Sequence, residues 1–103
     1  MITKFQKRVY SLTKQVPRGK VTTYGAIARK LNSSPRAVGQ ALRVNPFAPV
    51  VPCHRVVKSD GSIGGFGGEI SGKKIQKKIA MLRKEGVIIK CDKIEKKNII
   101  KKI

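Results

Sequence analysis

Between two short amphipathic stretches stands Asn32-Ser33-Ser34-Pro35. A Ser at the position of Ser34 accepts a hydrogen bond from a first-turn amide. Pro35 lacks an amide that the first turn would leave unpaired, and its φ already suits a helix. A helix therefore begins here, and the residues before it form a polar turn. Upstream, Thr23 is placed to cap a helix whose Tyr24, Ile27 and Leu31 share one face; downstream, Val38, Ala41 and Leu42 share another until Asn45-Pro46 ends the run. Two short helices joined by so tight a turn make a helix-turn-helix unit.

The outer strip of the second helix then carries information. Arg36, Gly39, Gln40 and Arg43 fall at i, i+3, i+4 and i+7, basic at both ends and small in the middle. Gly39 costs about 1 kcal/mol of helix stability, which makes sense if another backbone must approach closely. The same strip also fits a solvated helix face. The charge favours a polyanionic partner: 24 Lys and Arg stand against 5 Asp and Glu, a formal net charge of +19. That excess excludes a cationic partner. Its weight is reduced by the 12 Ile that accompany the Lys, because an AT-rich coding sequence yields both. Five per cent aromatic residues and no Trp argue against a stacking platform for single strands. No apolar run approaches a membrane span and no export leader is visible, so the expected setting is intracellular: cytoplasmic, and nucleoid-associated in a prokaryote.

The rest of the chain reads as one domain. Thr3 to Gln15 is a helix by the spacing of Phe5, Val9 and Leu12, with Thr3 and Gln6 as a capping box. Val50 to Val57 is β-rich and broken by Pro52; Gly-rich residues 64–68 surround Phe66. Lys73 to Lys84 is a last helix, with Ile75, Ile79 and Leu82 inward, Lys73, Lys74, Lys77 and Lys78 outward, and Gly86 at its C-terminal end. Residues 87–103 alternate Ile and Lys, and fit either a packed element or a frayed basic extension. Cys53 and Cys91 with the single His54 match no zinc pattern, so two reduced thiols, no metal and no cofactor are expected.

Pro52-Cys53-His54-Arg55-Val56-Val57 sets a thiol beside the only imidazole. A thiol attacks carbon as thiolate, and a nearby base must help remove a proton whose pKa is ordinarily about 8.5. Neighbours on a regular strand point to opposite faces, so His54 can assist Cys53 only across a bend or through a water; Pro52 favours the bend. A buried Cys is also a common small hydrophobe.

This hexapeptide resembles the active-site signature of the O6-alkylguanine-DNA alkyltransferases. The likeness continues in family order from about Phe5 to Gly86. Val21-Thr22-Thr23-Tyr24-Gly25-Ala26-Ile27-Ala28 is similar to the family's pocket-tyrosine segment. Arg36-Ala37-Val38-Gly39-Gln40-Ala41-Leu42-Arg43-Val44-Asn45-Pro46 is similar to its recognition helix and hinge, and Glu85-Gly86 to its closing pair. The resemblance implies a mostly helical α+β domain of winged-helix type, spanning residues 1–86, with a short β-hairpin and with 87–103 as its basic extension.

It implies that Cys53 is the alkyl acceptor, that His54 activates it through a water, that Glu85 orients His54 and that Asn45 ties the hinge. It places the guanine among Tyr24, Val56, Phe66 and Gly67. It sets Arg36, Ala37, Gly39, Gln40 and Arg43 in the minor groove of double-stranded DNA, with Arg36 filling the gap left by a flipped nucleotide. The protein would act as a monomer, once per molecule, on O6-alkylguanine and by extension O4-alkylthymine. Arg55 is expected to pair structurally. Departures from the family pattern are Gln40 for a small residue, Phe66 for Tyr, and a longer stretch from Phe66 to Glu85. The family's usual N-terminal domain is not matched. Two other functions compete: a non-catalytic alkyltransferase-like protein that binds alkylated DNA and signals to another pathway, a class that lacks the reactive Cys, and a plain basic helix-turn-helix binder with an inert thiol.

Overall fold

The computed structural model describes residues 2–48, 50–64, 72–91 and 93–101. Helix α1 spans Lys4–Lys14 and starts with the expected capping box: Thr3 Oγ1 accepts from the Gln6 amide at 3.0 Å and Gln6 Oε1 accepts from the Thr3 amide at 2.9 Å. Helices α2 (Tyr24–Lys30) and α3 (Pro35–Arg43) are capped by Thr23 and Ser34, whose hydroxyls accept from Ala26 and Ala37. The turn between them is closed by the Ser33 amide on the Ala28 carbonyl at 2.8 Å, with Asn32 at φ 57°. Asn tolerates this left-handed conformation better than most residues. The helix-turn-helix unit is therefore present with the predicted boundaries.

Val9, Tyr10, Ile27, Ala28, Val38, Ala41 and Leu42 pack α1, α2 and α3 into one apolar cluster, which Val51 and Val56 join from below. The Tyr10 hydroxyl donates to the Ala41 carbonyl at 2.7 Å, so even the polar atom of this buried ring is satisfied.

The β-rich stretch over 50–57 breaks at Pro52, as expected, and is a strand only at its end. Pro52 sits at φ −82°, ψ 71°, and the Cys53 amide bonds back to the Val51 carbonyl at 2.9 Å. Those are the marks of an inverse γ-turn. Cys53–Arg55 then form one turn of 3-10 helix, and strand β2 is Val56–Val57 alone. It runs parallel to strand β1, Thr22–Thr23, with Thr22 opposite Val56 and Thr23 opposite Val57. Successive strand residues face opposite ways. Val56 accordingly enters the helix-turn-helix cluster, while Val57 enters a second cluster with Val21, Ile63, Leu82, Val87, Ile89 and Ile94.

Helix α4 spans Lys73–Lys84, as expected, with Gly86 at φ 91° just past its end. One expectation fails here. Lys78 does not face outward with Lys73, Lys74 and Lys77; it is fully buried. The helical period explains why. Lys78 lies three residues after Ile75 and four before Leu82, so it belongs to the inward stripe.

The C-terminal residues pack on the body. Strands β3 (Ile89–Lys90) and β4 (Lys93–Ile94) form a short antiparallel hairpin. The Ile94 amide bonds the Gly61 carbonyl at 2.9 Å, and Ile99 makes a parallel bridge to Val21. The side chain of Asn98 is buried between the Gly19 carbonyl, 3.1 Å, and the Ile88 amide, 3.2 Å. Among the described residues no helix is long and apolar enough to cross a membrane.

Candidate active site

The inverse γ-turn and the 3-10 turn after it send consecutive side chains to different places. Cys53 stays partly exposed, with a free thiol. His54 is turned inward and buried, where its Nε2 lies 3.1 Å from Glu85 Oε2. Glu85 is the residue that ends α4, so the turn after Cys53 docks against the end of the last helix. Arg55 grips the same carboxylate, Nε to Oε1 at 3.0 Å and Nη2 to Oε2 at 2.7 Å, and donates from Nη1 to the Val16 carbonyl at 2.9 Å.

These contacts set the charges. Burial pushes the Glu85 carboxyl toward higher pKa, but hydrogen bonds from Arg55 and His54 outweigh it and hold the group below its ordinary value. Burial pushes His54 below its ordinary 6.5, assisted by the charges of Arg55 and Lys78 and opposed by Glu85. The imidazole is thus neutral near pH 7. Facing an ionised acceptor, its Nε2 carries the hydrogen, which leaves Nδ1 with a lone pair that can take a proton.

Tyr24, the first residue of α2, stands over Gly64, where a Cβ would come within 3.3 Å of the ring and 3.1 Å of Lys58 Cγ. At φ 76° that position also favours glycine. Burial, with the Cys53 charge, pushes Tyr24 up to about 12, so its hydroxyl keeps its proton and is a donor. Val56 is fully buried and its carbonyl accepts from Lys78 Nζ at 2.8 Å. Asn45 joins the end of α3 to the strand side: Nδ2 donates to the Val51 carbonyl at 3.0 Å, and Oδ1 accepts from the Phe47 amide at 2.9 Å.

On α3, Arg36, Gln40 and Arg43 are exposed and Ala37 and Gly39 partly so, all clear of the core. A Cβ at Gly39 would meet nothing within 4 Å, so the protein's own packing does not demand glycine there. Phe66 and Gly67 lie outside the described residues. Among the described residues no three His, Cys, Asp or Glu side chains are grouped to hold a metal ion. The structure thus gathers His54, Glu85 and Arg55 into one hydrogen-bonded cluster beside Cys53, and Asn45 and Tyr24 onto the adjoining segments. Sequence reasoning missed Lys78, although its spacing from Ile75 and Leu82 was the available signal.

Residues 4–87 match the family described as 6-O-methylguanine DNA methyltransferase, DNA binding domain. A methylated-DNA–protein-cysteine methyltransferase from Thermococcus kodakarensis is 53% identical over 87 residues, which are 84% of this chain and 47% of the relative. The crystal structure of O6-methylguanine-DNA methyltransferase from Pyrococcus kodakaraensis superposes with a TM-score of 0.72 at 52% identity, covering 84% of this chain and 48% of that one. The chain therefore spans about half the length of these relatives. S. pombe Atl1, in complex with damaged DNA containing O6-carboxymethylguanine, superposes with a TM-score of 0.69 at 36% identity and covers 87% of this chain and 83% of its own. On this evidence the chain belongs to the 6-O-methylguanine DNA methyltransferase family, through that family's DNA-binding domain.

Proposed function

We propose that the protein repairs DNA by taking the alkyl group from O6-alkylguanine, and by extension O4-alkylthymine, onto Cys53. The observation that carries this reading is the partly exposed Cys53 thiol, followed at once by an imidazole whose other face is held by Glu85. A neutral His54 receives the thiol proton through a water. The thiolate lone pair then attacks the alkyl carbon. The sulfur–carbon bond forms as the carbon–O6 bond breaks, and its electron pair passes into the purine, which takes up a proton to become guanine. The product is a thioether, so each molecule acts once.

The target atom is inaccessible in a stacked duplex, so the nucleotide must rotate out. The exposed strip of Arg36, Ala37, Gly39, Gln40 and Arg43 supports binding in the minor groove of double-stranded DNA, where small residues permit close approach and Arg36 fills the vacated space. Tyr24 assists rotation and donates to the purine. Val56, Phe66 and Gly67 line the pocket, and Asn45 couples the DNA helix to the active-site turn. The unit acts as a monomer, with residues 1–86 as the working domain and 87–103 as its extension.

The likeness to Atl1, which extends over most of that chain, favours a second reading: damage binding without transfer. One experiment separates the two. After incubation with a duplex carrying O6-methylguanine, mass spectrometry should find one added methyl group, on the peptide containing Cys53 and not on that containing Cys91. Tight binding with no mass gain would establish the second reading.

A further inference from the structure

Asn98 is remote from Cys53 in sequence, yet its contacts lead to the cluster of His54, Glu85 and Arg55. Residues 88–101 lie beyond the stretch that matches the family. They are zipped along residues 19–21. Asn98 Nδ2 donates to the Gly19 carbonyl at 3.1 Å and Lys20 Nζ to the Lys97 carbonyl at 2.9 Å. The Val21 amide donates to the Asn98 carbonyl at 2.8 Å, and the Ile100 amide to the Val21 carbonyl at 2.7 Å. The segment so held backs the Glu85 clamp. Val16 gives its carbonyl to Arg55 Nη1 at 2.9 Å, Arg18 Nη2 reaches the Lys84 carbonyl at 3.3 Å, and a Cβ on Gly19 would come within 3.1 Å of the Glu85 carbonyl. The other end of the Asn98 amide, Oδ1, accepts from the Ile88 amide at 3.2 Å, just past Glu85. One buried side chain thus joins two stretches of chain that flank Glu85.

Glu85 stands where support is needed. It closes the last turn of α4, and Gly86 leaves at φ 91°. Helix ends open at less cost than helix interiors. We propose that Asn98 is a positioning residue for alkyl transfer: by pinning Gly19 and Ile88 on either side of Glu85 it holds the end of α4, and with it the carboxylate that orients His54. This rests on the transfer reading above. Residues 88–101 then serve the site without touching the substrate. The link is mechanical, so a fault at Asn98 is felt as a misdirected imidazole. A misplacement of about 1 Å at a reacting group can cost about 10²-fold in rate.

The test uses Asn98→Ala, Glu85→Gln and the double variant in the full chain, at a temperature where circular dichroism shows each folded. The substrate is free O6-benzylguanine, which takes DNA binding out of the rate. His54 is the only histidine, so proton NMR follows its titration directly. Burial lowers its pKa; of the charged groups that its ring meets beside the Cys53 thiol, Glu85 raises it and Arg55 and Lys78 lower it. Asn98→Ala should react about tenfold more slowly than wild type. Its His54 should titrate at lower pH, because the Glu85 contact is loosened. In the Glu85→Gln background the same substitution should change the rate by less than about twofold, since the carboxylate it positions is gone. Gly19→Ala presses on the same contact and keeps both Asn98 bonds. It should reproduce both effects, and it decides the matter if Asn98→Ala does not fold. A role in packing alone would leave the rate and the titration of the folded variants unchanged, or would slow both backgrounds equally; either result overturns the proposal. Wild-type protein inert to the base would instead remove the transfer reading, and this role of Asn98 with it.

Discussion

Arg55 holds both oxygens of Glu85, and one of those oxygens, Oε2, is also the atom 3.1 Å from His54 Nε2. A carboxylate free to rotate could satisfy the imidazole in several orientations; one clamped by a guanidinium fork offers a single direction. The two residues thus fix the ring plane of a third, and the clamp is anchored in turn by Arg55 on the Val16 carbonyl at 2.9 Å.

The clamp predicts a pH profile. Because His54 titrates below 6.5, the rate of transfer should hold steady as pH falls through 6.5 and decline only at lower pH. Glu85→Gln removes the bond and charge that raise the His54 pKa, so the acid limb should move lower still. The plateau should drop by about 10²-fold, as expected when a general base loses its orientation. Rates measured from pH 5 to 8 decide it; an acid limb at or above 6.5 in the wild type contradicts the assignment. Arg55→Met strands the Glu85 charge and should lower unfolding free energy by about 2 kcal/mol or more.

Gly39 separates stability from binding. Nothing lies within 4 Å of a Cβ placed there, and the residue sits inside α3. Gly39→Leu should stabilise the fold by up to about 1 kcal/mol, which raises the melting temperature of a domain this size by roughly 4–8 °C. On the proposed minor-groove reading the same side chain would stand between α3 and the groove, so duplex affinity should fall at least about tenfold. Thermal melts and titrations of labelled duplex test both halves; unchanged affinity would place the contact elsewhere.

Lys78 predicts an unusual pH dependence of stability. Burial lowers its pKa from 10.5 to about 7, against the opposing pull of Cys53. Between those values the unfolded chain binds a proton at this site that the native state has released, so unfolding free energy should rise with pH from about 7 towards 9.5. Below about 7 both states are protonated and the full cost of burial is carried. Above 10 the trend should reverse, because Tyr10 and Tyr24 titrate higher when folded than the ordinary 10.0. Denaturant melts of Lys78→Met should lack the rise between pH 7 and 9.5; a parallel rise in both proteins refutes this account.

Asn98 should be a strong point in the C-terminal segment. It is buried and bonds the Gly19 carbonyl and the Ile88 amide. Asn98→Ala leaves both without a partner and should cost about 1–3 kcal/mol. Truncation after Gly86 exposes Val21 and Ile63 and should destabilise more than that. A truncated protein with unchanged stability would show that the segment contributes no packing energy.

Much of this was readable from local rules, since caps and helix periods act over four residues. Thr3, Thr23, Ser34 and Pro35 begin the helices that they predict. Over 50–57 the sequence shows the break at Pro52, but not that the path there is an inverse γ-turn followed by a 3-10 turn, because β-branched composition describes only what a segment can pack against. Residue type puts Lys78 outside, against its spacing from Ile75 and Leu82, because a buried lysine requires partners, here the Val56 and Ile63 carbonyls, that only tertiary structure supplies. For the same reason the C-terminal residues were ambiguous. Their partners, Val21, Gly61 and Gly19, are remote in sequence.

Remote pairing has a consequence for when the protein becomes competent. Val21 and Thr22 run between β2 on one side and the segment around Ile99 on the other, and the Thr22 hydroxyl donates to the Ile100 carbonyl 78 residues away. Helices α1 to α3 can form during synthesis from contacts already in hand, but this central strand closes only once residue 100 has left the ribosome, after a long loop-closure cost has been met. A nascent chain would therefore display a helix-turn-helix unit before the turn that carries Cys53 is docked on the finished body. Under the proposed transfer each molecule would react once, and that order of assembly would keep the single turnover in reserve until the chain is able to use it.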